Sequence, residues 1–115
     1  MITLCSVNDK KRHRGTCYCT TVGNMPAQYE RLECLVPTRE LVNGYKYQGK
    51  GEEWYTSGYR NLLKSKWADV KHWLDGLDGS DITLLCFCRE GNFCHRRLLA
   101  QMIAKWRPEL EIVVH

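Results

Sequence analysis

Ile82-Thr-Leu-Leu-Cys86-Phe-Cys88-Arg-Glu-Gly-Asn-Phe-Cys94-His95-Arg96-Arg97-Leu-Leu-Ala100 begins as an apolar, β-branched run that ends in two cysteines. A short segment with Gly91-Asn92 follows, and a helical pattern opens on Cys94 and His95. The stretch therefore reads as strand, loop and helix. In an open α/β sheet such a turn carries side chains to the carboxyl end of a strand and backbone N–H groups to a helix start. That is the usual place for a ligand.

Working outward, Leu98, Leu99, Met102, Ile103 and Trp106 form one stripe at helical spacing, and Pro108 marks its end before a last strand, Leu110 to Val114. Upstream, Tyr55, Tyr59, Leu62 and Leu63 share one face of a helix from about Glu52 to Lys66. Trp67, Val70, Trp73, Leu74 and Leu77 do so on a following or continuous helix. The spacing predicts strands at Ile2 to Val7 and Cys17 to Val22, joined by a loop from Asn8 to Gly15. Between Met25 and Gly51 the pattern weakens to a short buried segment ending at Pro37 and one short helix, Thr38 to Gly44, before a loop-like stretch, Tyr45 to Gly51. The closing β-α-β unit requires a parallel crossover. The expected fold is thus a three-layer α/β sandwich with a mostly parallel sheet, a single domain over 1–115, with the helices at 52 to 77 supplying the layer opposite the last helix.

The 115-residue length suits one domain with a real core, and 43% hydrophobic with 26% charged residues is ordinary for a globular protein. With no apolar leader segment and no membrane-length run, a cytoplasmic protein is expected. Seven cysteines are many, but the odd count and missing export signal favour reduced thiols over a disulfide framework. The net charge of +4 is uneven, because Lys10-Lys-Arg-His-Arg14 concentrates it. A solvated basic loop is the plainer reading of that cluster, and contact with phosphate the alternative.

Strand alternation puts Cys86 and Cys88 on one face with Phe87 on the other. At 100° per residue His95 falls within the apolar stripe and should face the sheet, Arg97 should face solvent, and Arg96 lies at the stripe's edge within reach of a ligand. Three chemistries fit these residues. Cys86, Cys88, Cys94 and His95 offer soft ligands for zinc, although C-x-C-x5-C-H is not a usual finger spacing. Cys94, at the helix N-terminus beside His95 and Arg96, has the setting of a nucleophile with a lowered pKa. Backbone N–H groups around Gly91 to Cys94, Asn92 among them, with Arg89, Arg96 and the helix dipole, would hold a phosphate or carboxylate. The anion reading needs no unusual chemistry and ranks first. Against all three stands plain packing, with the cysteines as small apolar filler and His95 hydrogen-bonded inside the core. Tyr55 and Tyr59, at i and i+4, have core spacing, yet each could bury its ring while presenting its hydroxyl to a nucleotide base or ribose, with Trp54 adding stacking.

At this cluster the sequence resembles the family known as domain of unknown function 488, small α/β proteins of bacteria and their phages. Leu84-Leu85-Cys86, seven intervening residues, Cys94-His95-Arg96 and Leu98-Leu99-Ala100 follow that family's signature in order and spacing. Leu35-Val36-Pro37 resembles its Leu-Ala-Pro, Tyr55-Thr56 with Tyr59 its Tyr-Thr-x-x-Tyr helix, and Val113-Val114-His115 its last strand. One position departs: Cys88 stands where the family commonly has Glu, and there the chain is similar to domain of unknown function 4326, with its Cys-Trp-Cys and Cys-His. The resemblance implies a Rossmann-like sandwich with a site at this loop, and no particular reaction. If that Glu serves relatives as acid or base, Cys88 implies binding without catalysis, or a metal or redox role.

The expectation is a small protein that binds, and as an enzyme acts on, a nucleotide-like or phosphorylated small molecule, with Cys94 and His95 carrying the chemistry. Its alternatives are a non-catalytic phage-type protein that sequesters a nucleotide signal or inhibits a host protein, a structural zinc or iron thiolate domain, and nucleic-acid binding through Lys10 to Arg14.

Overall fold

The computed structural model describes residues 1–87 and 95–115. Among these the elements are β1 (Ile2–Ser6), β2 (Thr16–Cys19), β3 (Glu30–Arg31), α1 (Arg39–Tyr47), α2 (Glu52–Ser65), α3 (Trp67–Asp75), β4 (Ile82–Cys86), α4 (His95–Trp106) and β5 (Ile112–Val114). They build a single Rossmann-like α/β sandwich around one sheet of order β3-β2-β4-β1-β5, with every pairing parallel. All five residues of β4 are buried, as a near-continuous apolar strand covered on both faces should be. Among the described residues no helix is long and apolar enough to cross a membrane.

Alternation along the strands separates two cores. Ile2, Leu4, Ile82 and Leu84 pack with Tyr59, Leu63, Val70, Leu74, Leu99 and Ile103, so α2, α3 and α4 share one face. Cys5, Val7 and Leu85 form a smaller cluster on the other face, with Cys17, Met25 and Tyr29 against it. The sequence placed the helices at 52 to 77 opposite α4, and here the structure corrects it. Both β3→β4 and β4→β5 advance two places across the sheet in the same sense, so right-handed crossovers put their helices on the same side. The step β1→β2 runs two places back, which sends residues 7–15 over the opposite face. Among the described residues the third layer is therefore irregular chain with one 3-10 turn, Lys10–Arg12.

A side chain in the middle of the sheet ties that crossover down. Thr83 Oγ1 accepts from the Arg14 N–H at 2.8 Å and donates to the Arg14 carbonyl at 2.7 Å, a backbone-like pairing from the middle of β4. The backbone of the basic segment thus helps cover the sheet, while Lys10, Lys11 and Arg14 are exposed. Gly15 then turns with φ +62, and any Cβ there would overlap the Asp81 carbonyl.

Two further differences from the sequence reading concern the weak region. The helix expected to stop at Gly44 continues to Tyr47. Gly44 is a packing position, since a Cβ would run into the Trp54 ring, and likewise at Gly58 into Leu41. Thr38 caps the helix, its hydroxyl accepting from the Leu41 N–H at 3.1 Å. The two-residue strand β3, with a 3-10 turn at Glu33–Leu35, was not foreseen, because so short an edge strand carries no periodicity. At Lys66 the chain breaks α2 from α3, resolving the choice between one helix and two.

Candidate functional site

The connections leaving β1 and β4 go to opposite faces, and these two strands are neighbours. A crevice at such a reversal, beyond the carboxyl ends of the strands, is where open α/β sheets bind ligands. The register fixes what lies there. Ser6 pairs with Cys86, and Thr20 stands one residue past the Cys19–Leu85 pair, level with Cys86. Thr20, Cys86 and Ser6 thus follow one another across β2, β4 and β1 on the helix-covered side, under the start of α4.

His95 enters this row from above. It is buried, and its Nε2 lies 3.1 Å from Thr20 Oγ1. The same hydroxyl donates to the Leu85 carbonyl at 3.0 Å. A hydroxyl has one proton to give, so with that proton on Leu85 the imidazole must donate through Nε2–H. In the neutral ring the remaining proton-accepting nitrogen is then Nδ1. Tyr59 meets the imidazole edge-on at 5.5 Å between ring centres, while its own hydroxyl donates to the Leu35 carbonyl at 2.5 Å. The histidine is thereby fixed by a hydrogen bond on one side and an aromatic wall on another.

Arg96 is buried as well, whereas Arg97 is exposed, so the orientations read from helical geometry hold. Below the crevice lies Cys5, whose thiol is pushed up to about 11 by burial and the Asp9 carboxylate; the Arg96 and Arg12 guanidiniums pull in the opposite direction. Arg96 therefore brings positive charge to the β1 end, where Arg12 also pairs with Asp9 at 3.3 Å. Cys5 stays a neutral thiol near pH 7.

Of the residues expected at the site, Cys86, His95 and Arg96 converge at this edge and are buried. Cys88, Arg89, Gly91, Asn92 and Cys94 lie outside the described residues, and with them the anion loop, the nucleophile and half of the proposed zinc ligands. Among the described residues no group of three or more His, Cys, Asp or Glu side chains is placed to hold a metal ion. Tyr55 and Tyr59 are core residues, 5% and 0% exposed, stacked at 6.1 Å, and Tyr59 meets the site through its ring contact with His95. Trp54 packs over Gly44. Sequence reasoning missed Thr20, Cys5 and Asp9. Strand alternation places Thr20 on one face with Tyr18, which packs on the helix-covered core, but nothing in the sequence names its partner.

Residues 2–107 match a family model, DUF488-N3a, described as the active DUF488-N3 subclade. No curated protein and no solved structure gives a significant match.

Proposed function

From the premise that the chain belongs to the DUF488 family, in its DUF488-N3a subclade, we propose that it binds a nucleotide-like or phosphorylated small molecule in the crevice between β1 and β4 and acts on it. The observation that carries this reading is the buried His95, oriented through Nε2 by Thr20, beside the buried Arg96 at the sheet's reversal point. A histidine held in one tautomer is suited to proton transfer. A buried guanidinium and the N-terminal end of α4 are suited to an anion. In this reading Arg96 and the Arg89–Asn92 segment hold the anionic group, and Cys94 and His95 supply the chemistry. That the subclade is described as active favours turnover over sequestration.

The test is a panel of nucleoside phosphates and sugar phosphates, screened by calorimetry and product analysis. Arg96→Gln should weaken binding by about tenfold or more. His95→Ala should remove turnover while leaving binding largely intact. Thr20→Val should lower the rate, and Thr20→Ser should restore it. Folded variants that bind and turn over like the parent would end the proposal, and binding with no product would favour the sequestering protein.

A further inference from the structure

Away from the sheet edge, α2 and α4 enclose an open cleft of about 710 Å³. Its floor is apolar: Leu63 and Leu98 are 6% and 8% exposed, and Met102 is half-buried beside them. At one end Trp67 and Trp106 meet at 4.9 Å between ring centres, with Trp106 half exposed. The rims are cationic. Arg60 and Lys64 stand one turn apart on α2, and Gln101 and Lys105 one turn apart on α4. No acidic side chain lines the cleft among the described residues, and none of the three cations belongs to an ion pair recorded there.

We propose that this cleft docks an acidic amphipathic helix of a partner protein. An apolar floor between polar rims is the arrangement by which helices are received in grooves. Cations at i and i+4 lie roughly 6 Å apart along the axis, the repeat at which a partner helix presents acids at i and i+4. Charge argues against a second copy of this chain, which carries a net +4 of its own. Single-stranded nucleic acid fits less well, because stacking bases need open ring faces and the two indoles are turned against each other. The cleft is built from residues of α2, α3 and α4 distinct from those of the crevice, so this inference stands whether or not the proposed function does.

The probe is a synthetic amphipathic peptide with Leu on one face and Glu at i, i+4 on the other. Its Glu→Lys counterpart and a twelve-residue oligothymidylate serve as comparisons, each titrated into the full chain and followed by amide and indole NMR shifts. The acidic peptide should move the Trp67 and Trp106 indole signals and bind about tenfold or more tighter than the basic one. Lys64→Glu with Lys105→Glu should abolish those shifts with an unchanged circular-dichroism spectrum, and Arg60→Gln alone should weaken binding. Equal affinity for both peptides, absence of saturable shifts at the two indoles, or tighter binding of the oligonucleotide in the cleft would each overturn the proposal.

Discussion

The two faces of the sheet are covered by opposite means. On one, helices bury leucines, an isoleucine and a fully enclosed tyrosine against Ile2, Leu4 and Leu84. On the other, a crossover with a single 3-10 turn covers Thr3, Cys5, Thr83 and Leu85, and its anchorage is a threonine hydroxyl bonded to the Arg14 backbone. The helical face is held by apolar area, which is non-directional and tolerant of detail. The crossover face is held by directional hydrogen bonds and by residues small enough to let a thin layer lie close. Stability should therefore respond to volume on one side and to polar chemistry on the other.

The largest effect is expected from Leu99→Ala in α4. Leu99 is fully buried on the helical face, and its truncation should cost roughly 2–5 kcal/mol, read by denaturant unfolding. Next comes alkaline pH, which acts through the crossover face. The Cys5 thiol titrates near 11 in the folded chain against an ordinary 9.0. Its contribution to stability is therefore fully present below pH 9 and is lost as pH rises through 9 to 11, because the unfolded chain gives up that proton first. The loss is of order 2–3 kcal/mol, and Cys5→Ala should flatten the decline in a pH series of unfolding curves. Thr83→Val, which keeps the shape and removes the hydroxyl, should cost roughly 1–2 kcal/mol, since water can reach the exposed Arg14 and replace part of what is lost. Hydrogen exchange should then speed up at the Arg14 amide. A Thr83→Val protein as stable as the parent would show that apolar contact alone holds the crossover.

This contrast also explains what could be read from the chain. Apolar periodicity belongs to the helical face, so α2, α3, α4, β1 and β4 were all legible, and with them the inward His95 and outward Arg97. The crossover face leaves no periodic trace. Lys10 to Arg14 read as a solvated loop because its tie to Thr83 is made by the Arg14 backbone, a group every residue possesses. Thr20 and Cys5 stayed hidden from the site for a different reason. Their nearness to His95 and Arg96 comes from strand order, with β4 inserted between β1 and β2, and no local pattern encodes that insertion.

The sheet is long in the middle and short at its borders. Its outermost members, β3 and β5, have two and three residues. A foreign strand seeking to zip onto either border finds a few exposed backbone groups and then irregular chain, with the charged Glu30 and Arg31 on one flank. The apolar five-residue strands that would aggregate readily if uncovered, β1 and β4, are thus shielded from sideways growth by partners too brief to serve as templates.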